Sequence, residues 1–566
     1  MSNVFSDDPQ NNTVINLAID FGTCNTVIGY KSNDKILHVL DEVSGDVLIP
    51  STILFIKDEI DTNLNVSQLQ INKHFLIGNA AKDAYNFKKD HSSYFYQFKR
   101  FLGITSKSIY TQKDFIDKFQ IKYDTDEDTI YFFIPTVKED KYIKINIIEL
   151  IKIYFQGLIN LIKVSLNIIG ELNIILTCPA YFHDLQRTQL KKAAENAGFK
   201  IFKMYNEPTA AAIYYIRKYD ELTSDNNKFI VYDLGGGTID TTVVEYHIDS
   251  KMCEIIDIDG NSSLGGIDID NLLVNDIYNK YSIDKTDIKW ANKIRKCAED
   301  IKIKLSYTKN YELTLENVPI KKGNSVNYVE LLNINYSQQM FNNIINNLID
   351  KMIDSILTMY KKHLTKNIIF IGGPTQIPLL QNKVNSMLTI NTNKIILNQN
   401  NALYKTIVAD GACLLYELLK SQDEFCLLDI VPMNIGISSP DGRMITMISS
   451  HSKIPVTVEK VFSTSHDCQR TIDVEVFEGI GEFIKENNYI GSYKIVGIPP
   501  LPRGSIIIKL LFKISYNGIL DVSISGFKNP SDNSAKSFDF KLTEKIKLIP
   551  NIIAKELLRK ILGEKK

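Results

Sequence analysis

The sequence predicts a two-lobed α/β unit followed by an all-β sandwich, and three observations support this fold class. A strand, a glycine turn and a second strand follow one another in "INLAIDFGTCNTVIGYK" (15–31) and again in "KFIVYDLGGGTIDTTVVEY" (228–246). Amphipathic helical patterns separate the two copies and follow the second one. After about residue 420 the pattern changes to short alternating runs bounded by turn residues, as in "RTIDVEVFEG".

The composition excludes several classes of protein. The chain has 566 residues, 44% apolar and 23% charged, which is enough for several packed domains. With 65 basic and 66 acidic residues the net charge is −1, so no nucleic acid or membrane partner is expected. The seven cysteines form no CxxC pair and the start of the chain lacks a secretory pattern. We therefore expect a cytoplasmic protein without structural zinc or disulfides.

The two copies of the glycine motif lie about 210 residues apart, too far for a solenoid repeat, and indicate two related lobes. Each lobe would present a glycine turn between antiparallel strands. Glycine lets backbone N–H groups approach an anion without a side chain in the way. Two facing turns could hold the phosphates of a nucleotide from both sides. Two ordinary hairpins with glycine in the turn are the alternative.

Aspartates flank both turns, at Asp20, Asp233 and Asp240. A carboxylate is repelled by a nearby phosphate unless a cation lies between them. Mg²⁺ is the expected cation, held mostly through water because it dehydrates reluctantly. The sequence thus predicts a phosphate cradle with acids that hold its metal.

Helical periodicity and changes in composition predict the remaining organisation. Helices are predicted over 145–166, 183–199, 206–219 and 287–306, and a strand, a double glycine and a helix over 367–384. The stretch "DEFCLLD" is predicted to be either an edge strand or a linker that docks. The predicted domains are a tail (1–13), a two-lobed domain (14–420, with lobes 14–220 and 228–420), a linker (421–429), a sandwich (430–540) and a short C-terminal helix (541–566).

Five motifs occur in order along the two lobes: "IDFGTCNT", "NEPTAAAI", "DLGGGTID", "SLGGIDIDN" and "GGPTQIP". Together they resemble the nucleotide-binding domain of the seventy-kilodalton heat-shock chaperones, the heat shock protein 70 family, within the actin and sugar-kinase superfamily. "CLLD", "GIPPLPRG" and "NGILDVS" resemble that family's linker and β-sandwich. The resemblance implies an α/β two-lobed, actin-like ATPase domain followed by an all-β sandwich that binds peptides.

The resemblance implies roles that the residues alone do not. Lys99 in "FKRFLG" matches a lysine that reaches the γ-phosphate and the attacking water, although alone it would be a solvated charge. Glu207 in "NEP" matches an acid near the metal, although alone it would be a carboxylate at a helix start. With Asp233 and Thr238 they form the implied catalytic set. The implied nucleotide-binding residues are Gly22, Thr23, Cys24, Gly235, Gly236, Gly237, Gly265, Gly266, Glu299, Lys302, Ser306, Gly372 and Gly373.

The base side of the implied nucleotide site departs from the family pattern. Cys24 stands where the family usually has a second threonine, and Ile303 replaces an arginine that usually stacks on adenine. Pro374 and Gln376 replace serine and arginine after the double glycine. We expect hydrolysis to survive, with weaker nucleotide affinity and a looser base preference. Without the resemblance, the helix face of Glu299, Lys302 and Ser306 would be a charged surface stripe.

The resemblance also implies coupling and peptide-binding residues. Lys203 replaces an arginine used in docking J-domain partners, and Pro440 and Ser465 replace the usual arch over the peptide. Periodicity alone would assign the peptide-binding set to the sandwich core. The implied coupling residues are Pro179, Arg187, Leu427, Leu428 and Asp429, and the implied peptide-binding residues are Ile437, Phe462, Ile472 and Val474.

The predicted function is that of an ATP-dependent chaperone that binds exposed apolar peptide segments and couples ATP hydrolysis to peptide affinity. Its implied cofactors are ATP and Mg²⁺, with K⁺ as a further candidate, and its implied partners are unfolded peptides, a J-domain co-chaperone and a nucleotide-exchange factor. The family normally continues into a helical lid, so we expect a chain that lacks one. A divergent binding or assembly protein with weak or no ATPase activity, and a small-molecule kinase of the same superfamily, are the alternatives.

Overall fold

The computed structural model describes residues 15–87, 94–104, 122–124, 129–138, 140–218, 227–286, 288–323, 325–365, 367–388, 393–396, 403–420, 426–496 and 498–528. The predicted tail (1–13) and the predicted C-terminal helix (541–566) lie outside these residues. The predicted fold class is confirmed at the level of a mixed α/β chain with several sheets. Among the described helices, none is long and apolar enough to cross a membrane.

The first lobe carries the first glycine motif. Its strands are β1 (Ile15–Phe21), β2 (Asn25–Ser32), β3 (Lys35–His38), β4 (Ile49–Pro50), β5 (Thr52–Phe55), β6 (Phe75–Ile77), β7 (Tyr94–Tyr96), β8 (Lys122–Asp124), β9 (Thr129–Pro135), β10 (Tyr142–Asn146), β11 (Leu172–Cys178) and β12 (Lys200–Asn206). Its helices are α1 (Gly78–Phe87), α2 (Ile147–Leu166), α3 (Asp184–Ala197) and α4 (Glu207–Lys218). The main sheet has the order β12–β11–β1–β2–β3, in which β1 is antiparallel to β2 and parallel to β11.

The second lobe repeats this topology around the second motif. Its strands are β13 (Lys228–Leu234), β14 (Ile239–His247), β15 (Met252–Asn261), β16 (Asn310–Lys322), β17 (Ser325–Ser337), β18 (Asn367–Ile371) and β19 (Asn393–Ile396). Its helices are α5 (Gly266–Lys280), α6 (Ile288–Leu305), α7 (Gln338–His363) and α8 (Pro378–Met387), and α9 (Leu403–Lys420) follows. The sheet order β19–β18–β13–β14–β15 matches that of the first lobe strand for strand, so the repeat in sequence is a repeat in topology.

Helices α4 and α9 cross between the two main sheets. Ala210, Ala211 and Ala212 are fully buried there, among side chains from both sheets. A Cβ atom on Gly411 would lie 1.8 Å from the carbonyl oxygen of Ala210, so only glycine allows this approach of the two backbones. The alanine run of "NEPTAAAI" therefore packs closely against α9 and joins the lobes behind the glycine turns.

Residues 431–528 form two small antiparallel sheets, here called the β unit. Its strands are β21 (Asn434–Ser438), β22 (Met444–Ile448), β23 (Lys453–Ile454), β24 (Val456–Ser463), β25 (Thr471–Gly479), β26 (Asn488–Val496), β27 (Ile506–Ile514) and β28 (Leu520–Lys528), and β20 (Cys426–Ile430) precedes them. The sheets have the orders β22–β21–β25–β26 and β24–β27–β28 and share one apolar core. Alternate residues of β27 are buried, as the two-residue period of a strand requires.

Strand β20, within the predicted linker, connects the lobes to the β unit. It pairs in parallel with β15, with Leu427 opposite Cys253, and antiparallel with β23, with Asp429 opposite Ile454. The described part of "DEFCLLD", residues 426–429, is paired on both sides, so it is an interior strand and not an edge strand, and the docked alternative agrees with the structure. The domain boundaries themselves stay predictions.

Candidate functional site

The two glycine turns face each other across the joint between the lobes. In the first turn the N–H of Gly22 donates to the carbonyl of Asn25 over 2.9 Å. A Cβ atom on Gly236, in the second turn, would lie 2.4 Å from the Sγ of Cys24, in the first. A Cβ atom on Gly237 would lie 2.9 Å from the Oγ1 of Thr23. Side chains at these glycines would push the lobes apart, so the glycines permit both the turn and the approach.

Two further glycines lie in close contact with the backbone at the second turn. A Cβ atom on Gly265 would lie 2.6 Å from the carbonyl oxygen of Gly236, just before α5 begins at Gly266. Gly372 has φ +86°, and a Cβ atom there would lie 2.1 Å from the carbonyl oxygen of Leu234. These positions bring bare backbone to the opening between the lobes, where an anion could reach it.

Four carboxyl groups lie at the bottom of the opening. Burial, reinforced by the charge of Glu207, raises the pKa of Asp20 to about 7 and that of Asp240 to about 7. The same two causes raise the pKa of Asp233. The backbone N–H of Tyr181 donates to Asp240 over 2.9 Å and holds that carboxyl in place. This concentration of buried acids is stabilised by a cation, so the residues fit a bound metal.

Among the described residues, no group of three His, Cys, Asp or Glu side chains lies close enough together to ligate a metal ion directly.

Lys99 is buried among these acids. It lies on a short 3₁₀ turn (Phe98–Phe101), and its Nζ is 2.9 Å from the Oε1 of Glu207. The rings of Phe21 and Phe182 lie 5.6 and 5.3 Å from the same Nζ. With 3% of its surface exposed, Lys99 is not a solvated surface charge. Its ammonium is the cation that the structure places against the carboxyl groups.

The outer end of the opening is lined by α6. The Nζ of Lys302 lies 2.7 Å from Asp270 and donates to the carbonyl of Gly266 over 3.3 Å. The Oγ of Ser306 donates to the carbonyl of Lys302, and Glu299 lies 3.9 Å from the Nζ of a lysine on α1. Lys302 therefore connects α6 to the start of α5. The helix face of Glu299, Lys302 and Ser306 is thus not merely a charged surface stripe.

One cleft of about 1500 Å³, counting the solvent at its mouth, joins these features. Three of the predicted site residues do not line the cleft but lie behind its walls: Gly237, Gly265 and Asp240. The predicted residues that line it are Asp20, Gly22, Thr23, Cys24, Lys99, Glu207, Asp233, Gly235, Gly236, Thr238, Gly266, Glu299, Lys302, Ser306, Gly372 and Gly373.

A chain of hydrogen bonds connects the cleft to β20. Asn206 precedes Glu207 and donates to the carboxylate of Asp429 over 2.8 Å. Its amide oxygen accepts a 2.8 Å hydrogen bond from Arg187, which also donates to the carbonyl of Pro179 over 3.4 Å. The predicted coupling residues Arg187, Pro179 and Asp429 are therefore in one network, with Asn206 as the bridge.

The other predicted coupling and peptide residues lie along β20 and in the β unit. Leu427 packs against the core between the lobes, opposite Cys253, and Leu428 is half-buried beside it. The predicted peptide-binding residues belong to or pack against the sandwich core, so their role in peptide binding stays a prediction. Ile437 and Val474 are buried there, and Phe462 and Ile472 are partly buried.

A family model described as "Hsp70 protein" matches residues 16–539. The chain belongs to the Hsp70 family. It is 28% identical over 518 residues to the chaperone protein dnaK of Cyanidium caldarium, covering 90% of this chain and 77% of that relative. It is 27% identical over 533 residues to the chaperone protein DnaK of Thermotoga neapolitana, covering 92% of this chain and 79% of that relative. The prediction of an Hsp70-type, ATP-dependent chaperone is confirmed, and neither alternative is better supported.

The positions at which the sequence is predicted to depart from the Hsp70 pattern lie in or beside the cleft. Ile303, the predicted replacement of a stacking arginine, lines the cleft and is 46% exposed. Gln376 is buried, and its neighbour Pro374 lines the cleft. Burial raises the pKa of the Cys24 thiol to about 12, so this group is neutral beside the first turn. The departures thus lie at the outer end of the cleft and at one side chain of the turn.

Sequence reasoning missed four residues of this Hsp70 site. Arg100 donates to Asp268 over 3.1 Å and to the carbonyl of Gly237, which links the lobes beside the turns. The other three are Phe182 over Lys99, Asn206 in the relay and Asp270 against Lys302. Arg100 lies within "FKRF", Asn206 within "NEP" and Asp270 within "IDID", and these motifs were the available signals. The partners of all four residues are visible only in the fold.

Proposed function

We propose that this Hsp70 protein hydrolyses ATP with Mg²⁺ and uses the reaction to change the affinity of the β unit for extended apolar peptides. The facing glycine turns, with three buried carboxyl groups, the partly buried Asp20 and one buried lysine between the lobes, carry the proposal. Glycine backbone suits phosphate oxygens, and raised carboxyl pKa values indicate a place where a cation is favourable. A nucleoside triphosphate with a divalent metal supplies both charges.

Asp20, Asp233 and Asp240 would hold Mg²⁺, mostly through water, and bound Mg²⁺ would neutralise the charge that develops on the transferred phosphoryl group. Gly22 and Thr23 would bind the phosphates from the first turn. From the second turn, Gly235, Gly236, Gly237 and Thr238 would bind them from the opposite side.

Lys99 and Glu207 would act on the reacting end of the nucleotide. The buried ammonium of Lys99 would stabilise negative charge on the γ-phosphate, because electrostatic interactions are strong in a site that excludes water. Glu207, held 2.9 Å from that ammonium, would orient the attacking water and accept its proton.

The hydrogen bonds of Asn206 would transmit a change of bound nucleotide in the cleft to the β unit. Asn206 adjoins Glu207 in the chain and binds both Arg187 and Asp429, so a shift of Glu207 would alter how β20 is held. Binding and hydrolysis would favour different arrangements of β20, in a two-state coupling. The β unit would bind an extended peptide through main-chain hydrogen bonds and one apolar pocket at Ile437, Phe462, Ile472 and Val474.

ATP turnover with and without an apolar peptide tests the proposal. Stimulation by the peptide would support a chaperone with coupled hydrolysis. A chain that binds neither ATP nor peptide would be a scaffold, and a phosphorylated small-molecule product would indicate a kinase. Both outcomes would refute the proposal. Lys304→Ala, an exposed lysine on the same helix as Lys302, serves as a matched control and should keep the parent rate.

A further inference from the structure

Two imidazoles share one carboxylate where the β unit meets the second lobe. Asp257, on β15, accepts hydrogen bonds from His363 over 2.7 Å and from Lys362 over 2.5 Å, both at the end of α7. Its other oxygen accepts from His451 of the β unit over 2.6 Å. Partial burial acts to raise the pKa of Asp257, but the hydrogen bonds from Lys362, His363 and His451 outweigh it and lower the pKa to about 2. Asp257 is therefore a carboxylate at any physiological pH.

A second contact buries two carboxyl groups against each other. The backbone N–H of Asp184, on α3, donates to Glu478 of the β unit over 2.9 Å. The backbone N–H of Leu520, also of the β unit, donates to Asp184 over 2.6 Å. Asp184 and Glu478 are 4% and 3% exposed, so docking removes both acids from water. This burial raises the pKa of Glu478 to about 8 and that of Asp184 to about 6.

We propose that docking of the β unit on the lobes takes up protons, so that acidification favours the docked state. The hydrogen bond from His451 joins the β unit to a carboxylate that stays ionised, so the pH dependence comes from the Asp184–Glu478 contact. Because docking raises the pKa of Glu478, its favourable contribution is fully present below the ordinary value of 4.5 and is lost as the pH rises through about 8. Docking removes Asp184 from water in the same way, so both carboxyl groups act in the same direction.

The other charged groups around these contacts do not reverse that direction. A hydrogen bond from Lys453 of the β unit, only partly opposed by burial, lowers the pKa of Glu254, so this ion pair persists as the pH falls. Burial raises the pKa of Asp259, whose charge would repel Asp257, so its protonation adds to the trend. Other described titratable groups near the contacts are His247 and Asp354 near β15, and Tyr181, Arg187, Lys192, Asp429, Tyr493, Tyr516 and Asp521 near the Asp184–Glu478 pair. Burial raises the pKa of Asp429 as well.

Small-angle X-ray scattering of the full chain at about pH 6 and about pH 8, with and without a non-hydrolysable ATP analogue, measures the docked fraction. One linked proton changes the ratio of docked to undocked protein by up to about tenfold per pH unit, so the ratio should fall by about 10- to 100-fold between these conditions. Glu478→Gln keeps the shape of the side chain while removing its titration. This variant should lose most of the response.

His466→Gln is the matched control, because this imidazole is exposed in the β unit and contacts Ser465 instead of the lobes. It should keep the full response. An unchanged docked fraction in the parent chain, or a full response in Glu478→Gln, would overturn the proposal. The inference rests on the docked arrangement, whereas calorimetric nucleotide binding at both pH values tests the proposed function separately.

Discussion

Replacing Lys99 by alanine removes a buried cation that lies against Glu207 and close to the aspartates at 20, 233 and 240. The ammonium is 3% exposed and lies 2.9 Å from Glu207, so the change leaves a buried negative charge without its partner. Breaking a buried ion pair from one side typically costs about 3–5 kcal/mol. The aspartates have raised pKa values and can take up protons, so we expect the lower end, about 3 kcal/mol, for the nucleotide-free protein near pH 8.

The same substitution should separate hydrolysis from binding. Loss of a charge that stabilises the transition state should lower the single-turnover rate by about 10²-fold or more. Nucleotide affinity should change much less, because the glycine turns that would bind the phosphates remain. Single-turnover hydrolysis, calorimetric binding of MgADP and urea unfolding would be measured on Lys99→Ala, with Lys304→Ala as the control. A parent-like hydrolysis rate in Lys99→Ala would show that the lysine takes no part in hydrolysis. An unchanged free energy of unfolding would show that the carboxyl groups do not require its ammonium for stability.

Three further outcomes follow from the site. Asp233→Asn should weaken Mg²⁺-dependent nucleotide binding more than metal-free binding in calorimetry, and equal weakening would mean that Asp233 only shapes the turn. Replacing Leu427 and Leu428 by aspartate would bury unpaired charge at β20, so basal ATPase should remain while peptide stimulation disappears, and retained stimulation would show a passive tether. Because the pKa values of Asp20 and Asp240 are raised to about 7, their contribution to stability is present below 3.8 and is lost as the pH rises through about 7. The unfolding free energy without ligand should therefore fall between about pH 4 and 7, and MgADP should flatten this trend, as denaturation at several pH values would reveal.

The sequence predicted the parts of the fold that depend on local pattern. The duplicated strand–turn–strand motif located β1, β2, β13 and β14, because glycine and β-branched residues determine this local structure. The helices over 147–166, 184–197 and 207–218 begin and end within a few residues of the predicted bounds. The motif order also located the side chains that line the cleft.

Contacts between residues that are distant in the sequence could not be predicted from this sequence alone. Asp257 and His451 are 194 positions apart, and nothing in "DIDG" or "SSHSK" indicates that the two side chains meet. Asn206 likewise gains its role only because the fold brings Arg187 and Asp429 to its two ends. Such contacts depend on how the elements are placed in space, which periodicity does not specify.

The pairing of β20 has a consequence for the exposure of the second lobe. While β20 is paired, β15 is an interior strand of a sheet that continues through β20 to β23. If β20 leaves, one side of β15 presents unpaired N–H and C=O groups, and such an edge can recruit strands of other chains. Glu254 would then lie along this bare edge, and Asp257 and Asp259 follow it on the same strand as acidic residues that oppose uncontrolled pairing. Each departure of β20 would therefore create a short edge that charged side chains help to protect from aggregation.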